Sequence, residues 1–173
     1  SKHGSTSSTT GTMFTDPDNT WGNGSNSDPA SAGAEAHFGV ATTWDYFKNV
    51  HGRNGINADG KGAKSLVHVS NNWVNASWSG SCFCMRYGDG DGVTYRPLTV
   101  LDVAGHEMAH GVTGAVSGLA YSGDAGGLNE STSDIFGTMV EYYANNGNDA
   151  PDYLMGEKIY ISNPNNTKAL RVL

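Results

Sequence analysis

Apolar side chains recur at helical spacing over residues 34–50, where Ala36, Phe38, Val40, Ala41, Trp44, Phe47 and Val50 share one face before His51-Gly52 supplies a stop. The spacing predicts a helix with one buried face. Two further helices are predicted over residues 101–116 and 128–144, separated by a glycine-rich stretch at 117–127. Residues 65–69 and 82–87 alternate or run apolar in the manner of strands. Between them, residues 71–80 hold two tryptophans in a polar setting, and Gly88-Asp89-Gly90-Asp91-Gly92 reads as a sharp hairpin-type turn. The first 30 residues are polar apart from the Met13-Phe14 island, so residues 1–12 are expected to be a flexible lead-in and 13–173 a single lobe. These elements predict an α+β fold in which a twisted, mainly antiparallel sheet packs on helices.

Composition narrows this picture. The chain has 173 residues, with 10 Lys and Arg against 17 Asp and Glu and a formal charge of -7. Scattered cations on an acidic chain give no footprint for phosphate backbones or anionic lipid, so neither nucleic acid nor membrane is an expected partner. No apolar run approaches the roughly 20 residues that span a bilayer. With 37% hydrophobic and only 16% charged residues, the chain can bury a core, but its 24 glycines make it dependent on turns. The two cysteines, Cys82 and Cys84, could face the same side of a strand, and the sequence leaves open whether they are bridged.

The string His106-Glu107-Met108-Ala109-His110 falls inside the second predicted helix. Histidines four apart lie on one face a turn apart, so both imidazoles can hold one zinc ion, and Glu107 is placed to deprotonate a water on that metal. A chance match in a chain of this composition is roughly a one per cent event, so supporting features matter. A catalytic zinc needs a third protein ligand. Glu130 can supply it from the next helix, while Asp134, one turn on, can orient a ligand histidine through its second nitrogen. Val103, Ala104, Val112 and Val116 are spaced to bury the motif helix.

The order of several blocks resembles the thermolysin-like neutral zinc metallopeptidases. These blocks are Asn75-Ala76-Ser77-Trp78, the stretch from Tyr87 to Gly92, Asp102-Val103-Ala104-Gly105-His106-Glu107, and the stretch from Asn129-Glu130 to Gly137. The resemblance implies a zincin-type lobe and a secreted, extracellular endopeptidase acting on peptides and proteins. His106, His110 and Glu130 would bind zinc, Glu107 would be the general base, and Asp134 would support a ligand. It further implies that Tyr121 stabilises the oxyanion and that Asn75, Ala76 and Trp78 bind an extended peptide. Val103 would wall a pocket for a bulky apolar residue after the scissile bond, and Arg171 would hold a substrate carbonyl. One calcium ion is implied at Asp102, Glu141, Asp152 and Glu157, with Leu154 offering only its backbone carbonyl. His37, His51 and His68 match no catalytic block and are expected to be structural or solvated.

The resemblance also sets an expectation about extent. The family continues into a mainly helical lobe carrying a histidine that hydrogen-bonds the tetrahedral intermediate, and that lobe is expected to be absent here. A separate C-terminal lobe is then an expected partner, and a metal-binding piece with little or no activity is the alternative to a working peptidase. A calcium-binding adhesion module accounts for the carboxylates and leaves the histidine pair unexplained.

Overall fold

The computed structural model describes residues 5–173; residues 1–4 of the expected lead-in lie outside the described residues. Helix α1 spans Pro29–His51. It begins five residues before the apolar periodicity does, because the Asp28 side chain caps the Ala30 amide and Pro29 sits at the first helical position. It ends at Gly52, whose φ of 67° lets the Gly52 and Arg53 amides return to the carbonyls of Lys48 and Phe47. Helix α2, Leu101–Val116, coincides with the predicted segment. Helix α3 runs Gly123–Ala144 and so extends back into the glycine-rich stretch.

Three short strands, β1 (Lys64–Leu66), β2 (Ala76–Ser79) and β3 (Cys84–Tyr87), form a sheet in the order β1-β3-β2. The β2–β3 pair is antiparallel, with Ala76 opposite Tyr87 and Ser79 opposite Cys84, whereas β1 runs parallel to β3. The sheet is therefore mixed, and β2 is an edge strand carrying Ala76 and Trp78, with Asn75 directly before it. Cys82 and Cys84 are bridged, with Cα atoms 5.2 Å apart. A bridge closing so short a loop adds only about 1.6 kcal/mol in the chain-entropy account, so its main effect is local.

After Gly92 the chain reverses without forming strands. The Gly92 amide donates to the Tyr95 carbonyl, and Asp91 Oδ1 accepts from the amides of Val93, Thr94 and Tyr95. A second two-stranded ribbon pairs β4 (Leu154–Met155) with β5 (Arg171–Val172), which brings Arg171 back beside Asp134 of α3.

The core fills the space between the helices and the inner face of the larger sheet, with Phe47, Met85, Tyr87, Ala104, Met108 and Val140 almost fully enclosed. Two glycine contacts set the helix spacing. A Cβ on Gly39 of α1 would lie 2.6 Å from Cβ of Ala104, and a Cβ on Gly137 of α3 would lie 2.5 Å from the Asp102 carbonyl of α2. Such close approach is available only to glycine, and it brings α3 near enough to α2 for both to contribute to one site.

Candidate metal centre

Helix α2 turns His106 and His110 towards α3, and Glu130 faces them from α3. The two Nε2 atoms are 2.9 Å apart, and Glu130 Oε2 and Oε1 lie 3.3 Å from His106 Nε2 and 3.5 Å from His110 Nε2. The two distances to Glu130 lie close to the edge, about 3.3 Å, of a tetrahedron around an ion with bonds of about 2.05 Å, and the Nε2 pair sits somewhat closer than that edge.

Both Nδ1 atoms are committed elsewhere. His106 Nδ1 is 2.7 Å from Asp134 Oδ1, and His110 Nδ1 is 2.6 Å from Asn129 Oδ1 and 3.0 Å from Ser133 Oγ. With Nδ1 donating outward, each Nε2 turns its lone pair inward, and two inward lone pairs at this separation repel unless a cation lies between them.

The electrostatics agree. Burial pushes His106 down, but its hydrogen bond to Asp134 and the nearby Glu107, Asp134 and Glu130 carboxylates outweigh burial and raise its pKa. Burial and the neighbouring His106 lower His110. The pocket thus favours positive charge and a free lone pair together, and a metal ion supplies the one while using the other. Two imidazoles and a carboxylate are a zinc set. His106, His110 and Glu130 form a zinc-binding site, and their side chains fit that ion.

Asp134 is held by two partners. Burial alone would raise its carboxyl, but hydrogen bonds from His106 and Arg171 keep it below its ordinary value. Arg171 donates from Nε at 2.5 Å and Nη2 at 2.6 Å, so β5 braces the acid that orients His106. Glu107 is buried beside the ligands. Burial pushes its carboxyl up to about 7; the charge of Glu130 adds to this, while His106, a hydrogen bond from the Trp78 backbone amide and Arg171 oppose it.

A cleft of about 560 Å³ opens over the cluster. Asn75, Ala76, Trp78, Val103, Glu107, Tyr121 and Arg171 all line it, as do the three zinc ligands. Tyr121 is exposed, with its ring 5.6 Å from that of His110.

The sequence reading did not single out Leu98, Met155 and Leu170, which add apolar wall, or Asn129, which orients His110. Asn129 had a signal available: it precedes Glu130 in a helix facing His110, and every ligand histidine needs an acceptor for its second nitrogen.

Behind the zinc ligands, on the far side of the α2–α3 contact, carboxylate oxygens of Glu141, Asp149 and Glu157 lie within 4.8 Å of one another. Asp149 was not among the expected ligands. Asp152 instead accepts from the Leu154 amide at 2.6 Å, while its own amide donates to Glu141 at 3.3 Å. Asp102 is buried and accepts from the Val103 and Gly156 amides. Burial, reinforced by Asp149 and Asp102, pushes Glu141 up to about 9. Glu141 Oε1, Asp149 Oδ1 and both Glu157 carboxylate oxygens make no hydrogen bond. Lys158 Nζ lies 3.5 Å from Asp149 and 3.9 Å from Glu157.

The geometry is that of a metallopeptidase of the zincin class: an HExxH helix, a third ligand from the following helix and an edge strand along the cleft. The thermolysin metallopeptidase catalytic domain matches residues 1–114, and the thermolysin metallopeptidase alpha-helical domain matches residues 117–173. The chain belongs to the thermolysin metallopeptidase family.

It is 64% identical over 160 residues to a transglutaminase-activating metalloprotease of Streptomyces mobaraensis, covering 92% of this chain and 20% of the relative. It is 47% identical over 151 residues to a bacillolysin of Brevibacillus brevis, covering 87% and 25%. Among solved structures, the precursor of protealysin, a metalloproteinase from Serratia proteamaculans, superposes with a TM-score of 0.68 at 38% identity, over 80% of this chain and 42% of that one. The chain thus spans a fifth to a quarter of the length of these curated relatives.

The match to the alpha-helical domain corrects two expectations. The helical lobe is not absent, and it is not a separate polypeptide partner, because residues 117–173 of this chain belong to it. The physical reason lies in where the site divides. The reversal between α2 and α3 is the boundary, so Glu130, Asp134, Arg171 and the carboxylate cluster all come from the helical part, which is joined covalently to α2.

Proposed function

We propose that this chain carries the hydrolytic centre of a secreted zinc endopeptidase. The observation that carries the reading is the pair of inward-facing Nε2 atoms 2.9 Å apart, completed by Glu130 and flanked by a buried Glu107. Zinc bound there would supply Lewis acidity, polarising a peptide carbonyl and acidifying water. Glu107, with its carboxyl near neutrality, takes the proton of the attacking water and hands it to the leaving amine. Tyr121 reaches the cleft from the turn between α2 and α3 and donates its hydroxyl to the developing oxyanion.

An extended peptide adds to the free edge of β2, where Asn75, Ala76 and Trp78 meet its backbone. Val103, Leu98, Met155 and Leu170 make an apolar recess that suits a bulky side chain after the scissile bond. Arg171 braces Asp134 and borders the same recess, within reach of a substrate carbonyl.

The carboxylate cluster binds calcium. Several buried oxygens gathered from separate segments suit a hard cation, and the orphaned oxygens of Glu157 and Glu141 support that reading. Asp149 adds a carboxylate to this cluster that the sequence did not single out. An oxidising, extracellular setting accords with the Cys82–Cys84 bridge and with the neutral proteases among the relatives.

The test is Glu107→Ala in the zinc-loaded chain. The variant should keep one zinc per chain by metal analysis and lose cleavage of a peptide by about 10²–10⁴-fold in kcat. Undiminished cleavage would sink the assignment.

A further inference from the structure

The turn joining β2 to β3 is closed by the Cys82–Cys84 bridge, with Phe83 as the single residue between the two cysteines. Phe83 has a φ of +49°, a left-handed conformation that a bulky residue rarely adopts unless its surroundings impose it. In that conformation its ring packs edge-on against Trp78, with centroids 5.3 Å apart and planes at 77°. Its carbonyl accepts from the Lys64 amide at 3.2 Å.

Trp78 is pinned on its other side by α2: a Cβ at Gly111 would lie 3.0 Å from indole Cε2 and Cζ2. Gly111 directly follows the zinc ligand His110. The Trp78 backbone amide donates to Glu107, and Trp78 lines the cleft from the edge strand. The sulfurs belong to a small core of their own with Leu66, Val69 and Trp73, apart from the main core.

We propose that the Cys82–Cys84 bridge, acting through Phe83, is a clamp that positions Trp78 and with it the substrate-binding edge of the cleft. Cys82, Phe83 and Cys84 are positioning residues; none touches the zinc ligands. Opening the bridge frees Phe83 to leave the left-handed region, removes its ring from Trp78 and loosens β2 where an extended peptide would add. Cys82 is only half-buried, so a reductant can reach the bridge. With a phosphine, the two sulfurs take two electrons and two protons and become thiols, and the phosphine becomes its oxide with oxygen from water.

This inference rests on the proposed peptide cleft for its kinetic readout alone. The experiment treats the zinc-loaded wild-type chain with a non-chelating phosphine, with reduction verified by the mass gain of two hydrogens. Amide hydrogen exchange over residues 76–79 should quicken by about tenfold or more while zinc content and helix signal stay constant. KM for a peptide substrate should rise by a larger factor than kcat falls, and re-oxidation should restore both. A bridge that only stabilised the fold would shrink the active fraction and leave KM unchanged.

Phe83→Ala with the bridge intact should reproduce the reduced behaviour, and Phe83→Tyr should retain that of the wild type. Unchanged exchange at 76–79 and unchanged KM after verified reduction overturn the clamp. If the unreduced zinc-loaded chain cleaves no peptide, the hydrolytic reading fails, and the exchange measurement still decides the clamp.

Discussion

The two acidic centres flanking the α2–α3 contact are built on opposite principles. Around the zinc ligands almost every polar atom has an assigned partner: Asp134 for His106, Asn129 and Ser133 for His110, Arg171 for Asp134. In the carboxylate cluster the reverse holds, with four buried oxygens lacking any hydrogen bond and Glu141 held near a pKa of 9 by burial and like charge. The first arrangement fixes ring orientation before an ion arrives and so sets geometry. In the proposed reading, the second would have its repulsion relieved by a hard cation and so convert binding into stability. On that reading one centre serves chemistry and the other holds the helices and the ribbon together.

The sharpest way to break this contrast is to disturb what the centres share. Gly137 lies at the helix contact, where a side chain would strike the Asp102 carbonyl. Gly137→Val should cost about 3 kcal/mol or more, at the upper end for an overpacked core, and thermal unfolding together with metal analysis should show both centres weakened at once. Loss at only one centre would mean that they are not coupled through the contact.

Calcium comes next. At a concentration of about 100 Kd it should stabilise the chain by about 2.7 kcal/mol, read as a rise in Tm. Glu157→Gln should abolish that gain and, without calcium, melt at or above the wild-type temperature, because it replaces an acid whose charged form burial and the neighbouring carboxylates already disfavour. Zinc content should not change in this variant. A gain that survives Glu157→Gln would place the calcium elsewhere.

On the zinc side, Asp134→Asn should weaken zinc binding by about 10–100-fold, the usual effect of losing the acceptor behind a ligand histidine. Competition with a chelator measures this, and the calcium-dependent shift in Tm should stay the same.

The smallest effect is a control far from both centres. His68 is buried, with Nδ1 2.6 Å from Asp89 Oδ1 and Nε2 2.9 Å from the Pro29 carbonyl. Both ring nitrogens therefore face acceptors, which favours the doubly protonated ring. The Asp89 hydrogen bond outweighs burial and raises its pKa above the ordinary value of 6.5. A raised histidine contributes stability that is complete below the unfolded pKa and is lost as pH rises through the folded one. Chemical denaturation at a series of pH values should show stability falling above about pH 6.5, and Asp89→Asn should flatten that slope.

How much was legible in the sequence differed between the centres for the same physical reason. The zinc ligands sit on helices, and helical spacing is periodic. Residues 101–116 were therefore readable as α2, and the four-residue interval between His106 and His110 fixed their common face. The start of α3 was not readable. Gly126 and Gly127 weaken helix propensity, yet the helix begins at Gly123, with the Gly126 amide already donating to the Ser122 carbonyl. Strand β2 was hidden because four residues on a sheet edge, one of them a large half-buried tryptophan, show no clean alternation. Asp149 was hidden for another reason: its position depends on how an aperiodic loop folds back between α3 and β4, and no spacing rule reaches across it. The histidines outside the motif were expected to be structural or solvated, and His68 and His51 each bond to a neighbouring side chain, Asp89 and Tyr46.

The central claim is that one ion is held by His106, His110 and Glu130 across the α2–α3 contact. X-ray absorption on the chain loaded with one equivalent of zinc addresses it directly. The account predicts a first shell of nitrogen and oxygen only, at about 2.0–2.2 Å, with the outer-shell scattering of two imidazoles; sulfur in that shell, or fewer than two imidazoles, would contradict it.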